Sequence, residues 1–153
     1  MFKKSAGLLI YRNHVSNPEV FLVHMGGPFW AKKDRHAWSI PKGEFVEGED
    51  PLQVAIREFK EETGQEIKGE FHPMGMVMQA GGKEVRAWSI AANPDAEHIT
   101  SNTFIMEWPP KSGQMKEFPE VDKASWFDLE TARRKIVKAQ AGFLDQLKML
   151  KSL

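Results

Sequence analysis

Glu58, Glu61 and Glu62 stand at i, i+3 and i+4, so a helix through them turns all three carboxylates to one side. Without a cation, such groups repel one another by roughly 1 kcal/mol per pair at ~4 Å even in water. Hard divalent cations relieve that repulsion, and a donor set made only of oxygen points to Mg²⁺ or Mn²⁺. Between Glu47 and Glu62 there are six acids (Glu47, Glu49, Asp50, Glu58, Glu61, Glu62) against the two bases Arg57 and Lys60. Arg57, four residues before Glu61, can brace that carboxylate, and Glu49 can reach Arg57 from the preceding loop. An acidic helix face taken alone is usually solvated surface, so the surrounding residues have to decide.

The helix that carries these acids is clearly delimited. Asp50 stands where an N-cap belongs, Pro51 at the first helical position and Gln53 where a capping-box partner would sit. Gly64 follows Thr63 at the position that favours left-handed geometry, so a helix is predicted over 51–63. Leu52, Ala55, Ile56 and Phe59 fall at i, i+3, i+4 and i+7 on a separate, apolar face. Residues 6–11 form an apolar run readable as a strand buried on both faces, with 20–25 as its partner across a polar turn at 13–19. Residues 71–79 and 84–92 read as two more strands, joined through Ala80-Gly81-Gly82-Lys83. A further strand over 103–108 places Phe104, Met106 and Trp108 on one face, and Pro109-Pro110 stops it. The last helical region is predicted over roughly 129–151, divided at Gly142. In it Phe143, Leu144, Leu147 and Leu150 make an apolar stripe that docks on the sheet. This order predicts an α+β or mixed α/β sandwich, not a regularly alternating Rossmann unit.

The chemistry is concentrated between the two glycines at 43 and 64. Gly43, five residues, Glu49, seven residues, then Arg57-Glu58-Phe59-Lys60-Glu61-Glu62-Thr63-Gly64 resembles the Nudix box. That box is the loop-helix-loop signature of hydrolases that cleave nucleoside diphosphates linked to another moiety. Every charged position and both glycines of the signature are present. Phe59 stands where the signature has a bulky aliphatic residue. Gln65 stands where an apolar residue follows the second glycine, and Ile67 is the candidate to replace that packing. The resemblance implies a single Nudix domain over 1–153, an α/β/α sandwich with a mixed β-sheet between helices. By position it implies Glu58 and Glu62 as direct metal ligands, Glu61 as a ligand directly or through water, and the main-chain carbonyl of Gly43 as a further ligand. Arg57 joins the catalytic set as the brace of Glu61. The implied reaction is attack by a metal-activated water on one phosphorus of a pyrophosphate linkage, with Mg²⁺ or Mn²⁺ also screening the anionic substrate from the acidic helix.

The general base is left open between a box glutamate and a carboxylate from a distant loop. Residues 109–124 read as a long unstructured connection, and such loops are often functional. Within it Glu120 resembles the late glutamate that some family members bring to the metals, while Glu117 reads as a solvated acid. The lead-in Trp38-Ser39-Ile40-Pro41-Lys42-Gly43-Glu44 is similar to that of members acting on dinucleoside polyphosphates or diphosphoinositol polyphosphates. Lys42 is therefore a candidate phosphate contact as a point charge, against a plain role as a loop lysine. Phe29 and Trp30, after Gly26-Gly27-Pro28, are candidates for stacking on a substrate base, with core or lid packing as the alternative. Trp88, Trp108 and Trp126 are assigned to the core.

The rest of the chain narrows the partners. It has 153 residues with 21 Lys+Arg, 21 Asp+Glu and no cysteine, 41% hydrophobic and 27% charged, ordinary values for one globular domain. No run approaches the ~20 apolar residues of a membrane span, and no signal-peptide pattern opens the chain. Absent cysteine excludes disulfides and thiol chemistry and fits a reducing compartment, so a cytoplasmic protein is expected. Zero net charge argues against a general nucleic-acid binder. His24, His36, His72 and His98 have no metal-site spacing, and Arg133, Arg134, Lys135 and Lys138 read as a solvated helix face. The expected partner is a small nucleotide or related polyphosphate; oligomeric state is left undecided. Two rival readings stand beside the hydrolase. One is a catalytically silent Nudix-like module that binds a nucleotide or RNA, against which the intact Glu58, Glu61 and Glu62 argue. The other is an acidic helix that recruits a protein, which predicts no stabilisation by divalent ions.

Overall fold

Strand β1 (Lys3–Arg12) organises the architecture because Ser5 through Ile10 are all buried and its alternate side chains enter two different cores. Leu9 joins one apolar cluster, while Ala6, Leu8 and Ile10 join the other. Strand β2 (Glu19–Met25) divides in the same way, with Val20 and Leu22 on one side and Phe21 and Val23 on the other. Strands buried on both faces need a layer on each side. The computed structural model describes residues 3–13 and 16–151, the side chains of 150 and 151 excepted. Positions 14 and 15 of the first turn, the side chain of Leu150 in the apolar stripe and the outermost residues of the 1–153 domain lie outside what is described.

The sheet runs β3 (Trp38–Ser39), β2, β1, β6 (Lys83–Ala91), β5 (His72–Gln79), with β4 (Lys42–Phe45) also pairing β1 and β9 (Val121–Asp128) also pairing β2. Only β1 and β6 run parallel; the remaining named pairs are antiparallel. Helix α1 (Pro51–Thr63) covers the face holding Phe21 and Ile90, through Ala55 and Phe59. Helices α2 (Leu129–Lys135) and α3 (Ala141–Lys151) cover the other face through Ala132, Phe143, Leu144 and Leu147. The predicted sandwich of helices about a mixed sheet is therefore what forms. No helix of the described residues is long and apolar enough to cross a membrane.

Two expectations are corrected. The last helical region breaks at Ile136, not at Gly142. Ile136 is extended (φ −73°, ψ 148°) because it forms a parallel bridge to Trp38 and is fully buried. A short 3₁₀ helix (Lys138–Gln140) follows, and Gly142 sits inside α3. Residues 109–124 are not an unstructured connection either. Strand β7 (Thr103–Glu107) pairs with β8 (Met115–Pro119) as a separate two-stranded sheet, and β9 begins at Val121. The Glu107 carboxylate organises the hairpin tip by accepting the main-chain N–H groups of Lys111 at 3.0 Å and Gly113 at 3.1 Å. The sequence signal for β8 is faint because the strand has no apolar alternation.

The sheet forks where the acids gather. One edge of β1 pairs with β2 over Ile10–Arg12 and with β4 over Lys4–Gly7. Between them the chain turns through Ile40 and Pro41, both buried, and Leu8 N–H donates to the Pro41 carbonyl at 3.1 Å. This corner would hold an unsatisfied main-chain donor but for Gln140. That side chain is 0% exposed, accepts the Ile40 N–H at 3.0 Å and donates to Ser39 Oγ and Gln79 Oε1 at 3.0 and 2.8 Å. Replacing it with leucine orphans a buried N–H, a loss of about 1–3 kcal/mol. Thermal melts of Gln140→Leu should show a midpoint lowered by roughly 2–12 °C, taking about 2–4 °C per kcal/mol at this size; an unchanged midpoint would show that the fork does not depend on this cap.

Candidate metal centre and active site

Helix α1 is held at both ends as its sequence specifies. The Asp50 carboxylate accepts the Leu52 N–H at 3.0 Å, and Gly64 adopts φ 77° with its N–H on the Lys60 carbonyl at 2.7 Å. Asp50 thus caps through Leu52, not through a reciprocal box with Gln53. Both departures from the signature are accommodated. Phe59 is fully buried, edge-to-face on Phe21 at 5.9 Å. Gln65 turns outward to clamp Asp95, donating to its carbonyl at 2.6 Å and accepting its N–H at 2.9 Å, while Ile67 takes the core position.

With Phe59 fixed in the core, Glu58 and Glu62 face the fork. They line one pocket with Glu61, Lys42 and Gly43, and Glu120 closes it from the start of β9. Gly43 serves by its lack of a side chain: a Cβ there would lie 2.1 Å from Glu58 Cδ. Arg57 spans the outer rim, 3.5 Å from Glu49, 3.8 Å from Glu58 and 3.8 Å from Glu61, as its spacing predicts.

The pocket is electrostatically tense. Burial and then the neighbouring Glu61 push the Glu58 carboxyl up to about 7. Glu62, almost wholly buried, is raised well above the ordinary carboxylate range by desolvation and then by Glu58. Its Oε2 is buried with no hydrogen-bond partner. Desolvation also lowers the Lys42 ammonium, against the pull of Glu62; Lys42 is half-buried in β4 and lines the pocket with the acids, so it is not an exposed loop lysine. Glu120 is raised by desolvation and then by Glu61.

A ladder of main-chain bonds gathers these distant segments. Asn102 N–H donates to the Glu61 carbonyl at 2.7 Å, Glu120 N–H to the Asn102 carbonyl at 2.9 Å, and Gly26 N–H to the Glu120 carbonyl at 2.9 Å. Asn102 and Ser5, which also line the pocket, escaped the sequence reading because only tertiary pairing brings them there. Glu117 lies on the hairpin and accepts from Thr103 Oγ1 at 2.8 Å. Trp30 is not among the pocket-lining residues: it packs against the α2–α3 core, with the Lys33 ammonium 5.2 Å from its ring. His24 is buried, bridging Asp122 at 2.8 Å and the Lys33 carbonyl at 2.6 Å. The basic cluster pairs internally, Arg133 with Asp145, Arg134 with Glu130 and Lys135 with Asp34.

Among the described residues, no three carboxylates already converge as a closed metal cage. The donor set nonetheless fits a hard divalent ion: an orphaned, nearly buried carboxylate oxygen on Glu62, Glu58 laid over Gly43, and oxygen donors throughout.

Comparison with known proteins finds relatives of the whole fold. The family model described as the NUDIX domain matches residues 1–147. An RNA pyrophosphohydrolase of Bartonella henselae is 30% identical over 145 residues, 85% of this chain and 78% of that protein. An asymmetrical bis(5'-nucleosyl)-tetraphosphatase of Mus musculus is 32% identical over 136 residues, 76% of this chain and 88% of that protein. Among solved structures, a binary complex of the Caenorhabditis elegans Ap4A hydrolase superposes with a TM-score of 0.68 at 27% identity, covering 99% of both chains.

Two predictions follow from the raised carboxyl groups and the bare Gly43. Between the ordinary value of 4.5 and the folded value of about 7 for Glu58, the metal-free folded state binds more protons than the unfolded chain, so its stability falls as pH rises through that window. Glu62 acts in the same direction. Chelator-treated protein should melt at a lower temperature at pH 8 than at pH 5, and Glu62→Gln should flatten the slope; an equal slope in the variant would remove Glu62 as its source. Mn²⁺ should raise the melting temperature of the wild type, and Gly43→Ala, which displaces Glu58, should keep the fold by circular dichroism yet lose that rise.

Proposed function

The chain belongs to the NUDIX family, and from that premise we propose that it is a Mg²⁺- or Mn²⁺-dependent pyrophosphohydrolase whose substrates are dinucleoside polyphosphates. The observation that carries this reading is the Glu62 carboxylate, buried with one oxygen unpartnered beside Glu58. A protein gains nothing in stability from that arrangement unless a cation completes it. Glu58 and Glu62 would hold the ion with the Gly43 carbonyl, and Glu61 directly or through water. Such an ion, when bound, polarises a phosphate oxygen and lowers the pKa of a coordinated water toward neutrality.

The chain's own groups supply the rest. Lys42 stands half-buried in the pocket with Glu62 and offers a positive charge to a phosphate oxygen. Arg57, tied to Glu49, Glu58 and Glu61, keeps these three carboxylates from turning into solvent. Glu120 is the base: both its main-chain groups are pinned, and burial and Glu61 raise its carboxyl, which improves it as a proton acceptor near neutral pH. A water oxygen bonds to phosphorus, its proton passes to the Glu120 carboxylate, and the bridging P–O bond breaks with its electrons on the departing phosphate. The similarity to bis(5'-nucleosyl)-tetraphosphatases over most of the chain and the Pro41-Lys42-Gly43-Glu44 lead-in support dinucleoside polyphosphates. The intact acidic set supports turnover over a silent binding module.

The test is a substrate panel with Mg²⁺ or Mn²⁺: dinucleoside polyphosphates, nucleoside triphosphates, nucleotide sugars, ADP-ribose, dinucleotide cofactors, and triphosphorylated and capped RNA. Diadenosine tetraphosphate should be cleaved with the highest kcat/KM, Glu61→Gln and Glu62→Gln should abolish turnover, and Glu120→Gln should lower kcat more than tenfold, roughly the contribution of a positioned base. Cleavage of none of the panel, or equal cleavage by the Glu61 and Glu62 variants, would overturn the assignment. An unchanged rate in Glu120→Gln would remove that residue from the mechanism.

A further inference from the structure

The β7–β8 hairpin carries more than its link to Glu120. Its root is in the acidic pocket, through Asn102 before β7 and Glu120 after β8. Paired strand residues share a face, so Phe104, Phe118 and Met106 lie on one side, and Ile105 and Glu117 on the other. The loop that follows β2 runs along the first side. Phe104 Cζ rests over Gly27, 2.9 Å from where a Cβ would stand, and Phe29 meets Trp108 edge-to-face with ring centroids 5.5 Å apart at 76°. Phe29 is nevertheless 59% exposed and Trp108 is only half-buried. This corrects the sequence expectation for Trp108, which is not core but partners Phe29.

Two partly exposed aromatic rings at nearly a right angle form a corner on the surface. The backbone on both sides of it is fixed. On the loop side Gly26 is bound to Glu120, Trp30 N–H donates to Gly27 at 3.3 Å, and the Lys33 carbonyl is held by the buried His24. On the hairpin side Trp108 N–H donates to Gln114 at 2.9 Å, over the tip that Glu107 caps. A rigid, partly exposed pair of rings on the hairpin that is rooted in the acidic pocket has the form of a stacking platform, whose cost of ordering is already met by the fold.

We infer that the Phe29–Trp108 corner is the subsite for a nucleobase of the substrate, an inference that rests on the proposed hydrolase reading and specifies where the base is held. Phe29 follows Gly26 by three residues, within about 10 Å of chain. Trp108 stands six extended residues beyond Asn102, roughly 20 Å along the hairpin. A base held at that remove from the acids is joined to the cleaved linkage by a chain of several phosphates. The corner therefore favours long polyphosphates over compounds in which the base and the cleaved linkage lie close together.

The test uses calorimetric titration of the full chain, in Mg²⁺, with a methylene-bridged analogue of diadenosine tetraphosphate that resists cleavage. Phe29→Ala and Trp108→Ala should each weaken binding by about tenfold, within the range of one lost stacking contact, and raise KM for diadenosine tetraphosphate with kcat within about twofold. Both variants should keep the wild-type melting temperature and its rise with Mn²⁺, since neither ring is core and neither lines the acidic pocket. Ile105→Ala, at a 65% exposed residue on the opposite face, should bind as the wild type does. Wild-type affinity in both aromatic variants overturns the inference and leaves the hydrolase reading standing, as does an equal loss in Ile105→Ala, which would mark general apolar adhesion. If the wild type neither binds the analogue nor cleaves any member of the panel, the hydrolase reading falls and this subsite with it.

Discussion

The structure depends on keeping Glu62, and Glu58 beside it, in a place that water hardly reaches. Desolvation dominates the upward shift of both carboxyl groups, and mutual repulsion adds to it. An unconstrained helix would relieve this by rotating its acids to solvent. Helix α1 cannot, because Phe59 lies between them in sequence on the opposite face, fully buried against Phe21, and because both ends of the helix are capped. The apolar grip on one face of α1 is thus what forces an unfavourable charge arrangement on the other, and it makes ion binding the way in which the site reaches its lowest free energy.

The fork of the sheet gives that helix something to face. Pairing of β1 with β2 at one end and β4 at the other opens a wedge that Ile40 and Pro41 fill from inside and Gln140 completes. Lys42 and Gly43 leave this wedge directly beneath Glu58 and Glu62. The remaining wall comes from far along the chain, and main-chain hydrogen bonds from Glu61 through Asn102 and Glu120 to Gly26 hold it. Because those bonds involve the backbone, they fix the spacing of Glu61 and Glu120 independently of how either carboxylate turns, which leaves the side chains free to meet ion and substrate.

The acidic helix was legible in full because its information is local: a cap, a period of 3.6 and a C-terminal glycine all lie within fifteen residues of the acids. The hairpin over 72–91 was legible for the same reason, through its two turn glycines. What was missed has the opposite character. Asn102 and Ser5 reach the pocket only by pairing across the sheet, and Ile136 ends α2 because Trp38, about a hundred positions earlier, draws it into a bridge. Strand β8, with Lys116, Glu117 and exposed Met115, lacks the alternation that marks a half-buried strand, so its span read as loop. The partners of Trp30 and Trp108 were illegible for a related reason: both are half-buried aromatics in or beside loops, and only the packing of the loop against the hairpin decides which ring packs on the core and which meets Phe29.

Charge explains why this pocket, in a protein of zero net charge, can receive an anion at all. Five glutamates and one half-buried lysine line it, so a bare polyphosphate meets net repulsion, and the half-buried walls do little to screen it. Divalent ions arriving with the substrate would reverse the sign of that field. A field of this kind attracts any metal-loaded diphosphate equally and says nothing of what the diphosphate is attached to. Discrimination must therefore come from groups away from the acids that sense the uncharged parts of the substrate. The hairpin rooted at Asn102 and Glu120 joins such a surface to the reaction centre through one continuous piece of hydrogen-bonded backbone, so that the position of a bound base and the position of Glu120 are set by the same rigid element.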